Sequence, residues 1–90
     1  MATIYKYAIE PGRTEVQMPR DAQVLTVQMQ FGNPFMWAKV DPRLKTERRV
    51  FDVFCTGHEM PDDPRLIYVG TFQMNNGALV WHVFDSTHAT

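Results

Sequence analysis

The sequence predicts an all-β domain: a small antiparallel sandwich or partly open barrel of six to seven short strands, with little or no helix. Three observations carry this. First, residues 66–73 and 78–84 are rich in β-branched and aromatic side chains and flank Asn75-Asn76-Gly77, where Asn-Gly supplies the positive φ angles of a tight hairpin. Second, residues 23–31 alternate strictly, with Leu25, Val27, Met29 and Phe31 on one face and Thr26, Gln28 and Gln30 on the other. Third, no long stretch shows the 3.6-residue period of a helix, while turn signals recur about every ten residues.

The elements follow in order. Residues 3–9 read as a first strand ended by Pro11-Gly12, and residues 14–18 as a short second strand stopped by Pro19. With Pro11-Gly12-Arg13 between them, the two are expected to pair as a hairpin. Arg20-Asp21 is turn material before the alternating strand 23–31. Gly32-Asn33-Pro34 turns the chain into residues 35–40, apolar on both faces except at Lys39, so a second layer is expected over this strand. Residues 43–48 form a polar connector with room for a short helical turn. Residues 49–55 are the next strand, with Phe51, Val53 and Cys55 on one face. Thr56-Gly57-His58 and the Pro/Asp-rich residues 59–64 then lead to the final hairpin. There Trp81 shares a face with Leu79 and Val83, and His82 shares the other with Val80 and Phe84. No internal repeat, linker or low-complexity run stands out. Residues 1–85 read as a single β domain and residues 86–90 as a flexible polar tail.

Composition narrows the function. With 90 residues, 44% hydrophobic and 21% charged, the chain has the make-up of one small folded domain. A net charge of −1 gives no global attraction to nucleic acid or anionic lipid, so extended nucleic acid and membrane are not expected partners. The single Cys55 excludes an internal disulfide and fits a reducing compartment. The N-terminal residues carry neither a basic n-region nor a long apolar run, so no secretory signal or membrane span is expected.

Four groups of residues invite a chemical reading. Trp37 and Lys39, followed by Arg43, Lys45, Arg48 and Arg49, offer an indole to stack a base and cations to hold a phosphate. Asp41 and Glu47 dilute that charge, and a solvated loop guarding a sheet edge is the bland alternative. Thr56-Gly57-His58 combines close backbone approach at Gly57 with hydrogen-bonding side chains; the bland alternative is a turn with an exposed His58. Cys55 shares a face with Phe51 and Val53, which makes it a buried small hydrophobe rather than a nucleophile. His58, His82 and His88 have no metal-ligand spacing, and His82 reads as a satisfied histidine at the core edge. The two-sided apolarity of the last strand, with Trp37, the tyrosines and six methionines, favours a homo-oligomer.

Several segments together resemble a family of short, mostly phage-encoded proteins of unassigned function. They are Ile4-Tyr5-Lys6-Tyr7, Met18-Pro19, Val27-Gln28 followed by Gln30, Trp37-Ala38-Lys39-Val40-Asp41-Pro42, Thr56-Gly57-His58, Tyr68-Val69-Gly70-Thr71 and Leu79-Val80-Trp81-His82-Val83-Phe84. The likeness spans nearly the whole chain but transfers no catalytic residue. Members of that family commonly have Gly where this chain has Cys55, which weighs further against a cysteine nucleophile.

The resemblance and the compact size imply a non-catalytic phage accessory protein of the host cytoplasm. It is expected to counter host antiviral defence by binding, most readily by sequestering a nucleotide-type immune signal. The expected ligand-binding set is Trp37, Lys39, Arg48, Arg49, Thr56, Gly57 and His58, with no metal, cofactor or catalytic residue. The alternative is a protein-interaction or virion-associated module that binds a host or phage protein and has no small-molecule site. A small hydrolase using His58 or His82 with Asp41 or Asp52 ranks last, since no paired carboxylates and no activated nucleophile are present.

Overall fold

A computed structural model, describing residues 1–89, places seven strands in two antiparallel sheets. The strands are β1 (Thr3–Ala8), β2 (Gly12–Pro19), β3 (Gln23–Gln30), β4 (Asn33–Val40), β5 (Thr46–Cys55), β6 (Ile67–Met74) and β7 (Leu79–Asp85). One sheet has the order β1-β4-β3 and the other β2-β5-β7-β6. All pairs are antiparallel, and the sheets do not close into a barrel. The expected all-β sandwich is the observed architecture. Among the described residues no helix is long and apolar enough to cross a membrane.

Strand alternation builds the core. Met36, Ala38 and Val40 on β4 face Phe51 and Val53 on β5, Phe72 on β6 and Val83 on β7, in one buried cluster with Ile9, Met18, Ala22 and Val27. Cys55 is buried, on the face shared by Phe51 and Val53. The β6–β7 hairpin forms as its sequence predicts, with Met74 paired to Leu79 and positive φ at Asn75, Asn76 and Gly77. The indole Nε1 of Trp81 is buried with no hydrogen-bond partner among the described residues.

The structure corrects the pairing expected at the N-terminus. β1 and β2 lie in different sheets, β1 on β4 and β2 on β5. Ile9, between them, is 4% exposed, and its amide donates to the Pro34 carbonyl at 3.2 Å. A tight hairpin would leave this side chain in water; burying it carries the chain from one sheet to the other.

β3 also departs from strict alternation. A bulge between Val24 and Thr26 leaves Leu25 unpaired and 47% exposed. Val24 and Val27 thereby both face the core, opposite Ala38 and Met36. Phe31 leaves the strand into the β3–β4 turn with φ 52° and is 92% exposed. β6 carries a matching irregularity between Tyr68 and Gly70. Both bulged strands are sheet edges, where a bulge twists the strand away from further pairing.

β5 starts at Thr46, earlier than expected, and takes up half of the polar connector. Asp41-Pro42-Arg43-Leu44 and Asp63-Pro64-Arg65-Leu66 form a four-residue repeat overlooked in the sequence. In each the Asp carboxylate accepts from the Arg backbone amide and guanidinium, and the Leu amide donates to the Asp carbonyl. The segment read as a polar tail begins against the sheet: Ser86 is 1% exposed, and its amide donates to the Val50 carbonyl at 2.8 Å. Thr87–Ala89 form a 3₁₀ turn beside β5, and Thr90 lies outside the described residues.

Candidate functional site

The seven residues singled out in the sequence fall in four places. Trp37 and Lys39 lie on the outer face of the three-stranded sheet, alternating with the buried Met36, Ala38 and Val40. Arg48 lies on the outer face of the four-stranded sheet, where it donates to Glu15 on β2. Arg49 points the other way. Its side chain is 14% exposed, and it donates to the Ala22 carbonyl at 3.1 Å and to Asp85 Oδ2 at 2.7 Å. Asp85 also accepts from the Thr87 amide and hydroxyl. Burial favours the neutral Asp85 carboxyl, yet the Thr87 hydrogen bonds and Arg49 outweigh it and hold its pKa below the usual range. Arg48 and Arg49 are thus each matched to a carboxylate, one as a surface pair and one as an internal clamp between β5 and the end of β7.

Thr56, Gly57 and His58 form the turn that leaves β5. The His58 amide donates to the Cys55 carbonyl at 3.0 Å, Gly57 takes φ 87°, and the His58 side chain is exposed. Thr56 faces His82 on the outer side of the four-stranded sheet. The structure therefore brings Trp37 together with Lys39, and Thr56 with Gly57 and His58, but does not bring either group to the two arginines.

Around Trp37 the sheet builds a shallow hollow of about 290 Å³, lined by Thr26, Gln28, Met29, Gln30 and Trp37. Cross-strand register sets it: Thr26 and Lys6 both sit opposite Trp37, and Gln28 opposite Phe35. Phe35 and Trp37 tilt together with centroids 6.1 Å apart. Lys6 Nζ stands 4.5 Å over the Phe35 ring and donates to Gln30 Oε1 at 3.0 Å. Among the described residues no element covers this face, where a second layer over β4 was expected; Lys6 reaches over Phe35. Both aromatic rings are only half-buried. Lys39 is exposed, and none of the ion pairs among the described residues includes it. One ring, amide and hydroxyl groups from β3 and two ammonium groups can stack a planar heterocycle, hydrogen-bond its edge and hold an anion.

The outer face of the four-stranded sheet carries a second arrangement. Phe84 makes edge contacts with Phe54 at 5.9 Å and Tyr68 at 5.6 Å between centroids. Beside them runs a hydrogen-bonded row: Tyr68 Oη to Thr71 Oγ1 at 2.6 Å, Thr71 Oγ1 to His82 Nδ1 at 3.1 Å, and His82 Nε2 to Thr56 Oγ1 at 2.7 Å. Thr56 Oγ1 donates onward to the Val80 carbonyl at 3.3 Å. His82 is thus satisfied at both nitrogens. Sequence reasoning missed the row because its members come from β6, β7 and the turn that leaves β5. The period-2 alternation of β7, which puts Val80, His82 and Phe84 on one face, was its only local signal. No cluster of three or more His, Cys, Asp or Glu side chains suited to a metal occurs among the described residues.

These features define an all-β sandwich whose two outer faces carry different chemistry. The chain belongs to the family described as a domain of unknown function (DUF7352), which it matches over residues 1–90. No curated protein and no solved structure matches it.

Proposed function

We propose that this chain is a non-catalytic binding protein that holds a nucleotide-type molecule on the outer face of its three-stranded sheet. The observation that carries the reading is Trp37, half-buried in a shallow hollow, with hydrogen-bonding side chains on β3 and, two residues along β4, Lys39, which enters no ion pair among the described residues. In this reading the base stacks on Trp37, Thr26 and Gln28 contact its edge, and Lys39 takes the phosphate role first assigned to Arg48 and Arg49. The likeness to short phage proteins supports the wider role: an accessory of the host cytoplasm that sequesters a nucleotide-type immune signal. Titration of the protein with a panel of linear and cyclic nucleotides, read by calorimetry and with the ligand recovered for mass spectrometry, tests it. Binding that is lost in a folded Trp37→Ala variant, with ligand recovered intact, is the expected result. Unchanged affinity in that variant sinks the site, and cleaved ligand sinks the non-catalytic reading.

A second reading is favoured by the Phe54–Phe84–Tyr68 cluster, which leaves Tyr68 58% exposed. An aromatic centre flanked by the paired charges Arg13–Asp52 and Arg48–Glu15 has the make-up of a protein-contact face. Its test is a host protein retained by the wild type and released by Tyr68→Glu; retention by both would remove this face from the contact.

A further inference from the structure

Resting on the nucleotide reading, we propose that the Trp37 site selects a nucleotide unit with a phosphate on each side of the sugar, rather than a terminal monophosphate. The reason is where the cations lie. Phe35, Trp37 and Lys39 occupy successive outward positions of β4, so Trp37 stands between the other two. On the Phe35 side, Lys6 reaches across from β1, its ammonium 4.5 Å above the ring and 3.0 Å from Gln30 Oε1. On the opposite side stands Lys39. The single stacking ring is therefore bracketed along the strand by two ammonium groups.

The two cations differ in how they are prepared. Ring and amide hold Lys6 with two N–H donors still to spend, since an ammonium carries three. Lys39 has no such restraint. Asp21 and Asp41 line the neighbouring concavity with it, but neither forms an ion pair with it. The Lys6 backbone sits opposite Trp37, but its ammonium lies over Phe35, four residues or roughly 13 Å along the strand from Lys39, and each flexible lysine stem can fold inward toward a base between them. A mononucleotide would leave one cation unused; a unit with phosphates on both sides engages both. That unit occurs in a cyclic dinucleotide and in a single strand of nucleic acid. The shallow hollow, lined among the described residues by side chains of β3 and β4 alone, admits either.

The test compares four probes by calorimetry at two salt concentrations: adenosine 5′-monophosphate, adenosine 3′,5′-bisphosphate, a cyclic diadenylate and a single-stranded tetra-adenylate. The bisphosphate is expected to bind about two- to fivefold more tightly than the monophosphate, the gain that one further exposed ion pair gives. Its dependence of log affinity on log salt should be steeper by roughly 0.7. Lys6→Gln, at an exposed position, should erase both differences between the two probes. Equal affinities for mono- and bisphosphate, or a preference that survives Lys6→Gln, overturn the proposal and leave the Trp37 site standing. Absence of binding by all four probes overturns both. Tighter binding of the cyclic dimer than of the tetranucleotide assigns the site to a messenger, and the reverse order assigns it to a strand.

Discussion

Val27 on β3 and Gly70 on β6 meet where the two sheets approach each other: a Cβ placed on Gly70 would stand 3.0 Å from both the Cβ and a Cγ of Val27. Glycine is needed here for space, since Gly70 has no positive φ. Val27 is 6% exposed and β-branched, so it has little freedom to move aside.

Gly70→Ala is therefore expected to destabilise the domain by about 1–3 kcal/mol, as overpacking does. At this size that lowers the thermal midpoint by several degrees, roughly 4–8 °C per kcal/mol. The Val27→Ala, Gly70→Ala double variant should lose less than the two single losses added together. Additive losses in that cycle would show that the two residues do not touch.

Arg49→Ala should unfold more protein than it inactivates. It leaves Asp85 without its guanidinium partner, beside the backbone that ties the chain end to β5. The cost is expected near 2–3 kcal/mol, below the 3–5 of a fully buried pair because both side chains keep some solvent contact. Denaturant unfolding of Arg49→Ala beside Arg48→Ala checks this: Arg48, an exposed partner of Glu15, should change stability little. Equal losses would mean that the internal clamp does not form.

Acid should destabilise the fold in a defined window. For Asp85 and Asp52 burial alone would raise the pKa, but hydrogen bonds to Thr87 and Arg49 for the first, and to Arg13 and Ser86 for the second, lower it. Hydrogen bonds from Arg65 bring Asp63 down to about 2, and those from Arg43 lower Asp41 likewise. Carboxyls depressed in the folded state bind protons more readily when unfolded. Their stabilisation is complete above the unfolded value of about 4 and is lost as pH falls through the folded values. The thermal midpoint should hold from neutrality to about pH 5 and drop between about pH 4 and 2, less steeply in Asp85→Asn. A midpoint that rises on acidification would contradict these shifts.

The row through His82 fixes the place of its proton. Thr56 Oγ1 gives its hydrogen to the Val80 carbonyl, so it must accept from His82 Nε2–H. Nδ1 then accepts from Thr71, and Thr71 from Tyr68. Nitrogen chemical shifts of the neutral ring should report the Nε2–H tautomer, with the population shifting toward Nδ1–H in Thr56→Val. A neutral ring protonated at Nδ1 in the wild type would reverse the row.

Much of the architecture is local chemistry and was readable from the chain. Period-2 alternation in β4, β5 and β7 set which residues share a face, and Asn75-Asn76-Gly77 set the last hairpin, because both depend only on near neighbours. The site was legible in part. Trp37 and Lys39 share a face two residues apart on one strand, and period 2 guarantees that. Lys6, opposite Trp37 on β1, is absent from the sequence reading because β1 was expected to pair with β2.

Tertiary structure decided the rest. Whether Ile9 turns in water or in the core chose the partner of β1, and that free energy belongs to the whole cluster around Met36 and Phe51. The bulge at Leu25 changed which residues of β3 face inward, since Val24 and Val27 could both pack against the core only by leaving one residue unpaired. Arg48 and Arg49 look alike in the sequence, yet neighbouring residues of a strand point to opposite faces. The fold sent one to the surface beside Glu15 and the other inward to Asp85, where a carboxylate was waiting for each.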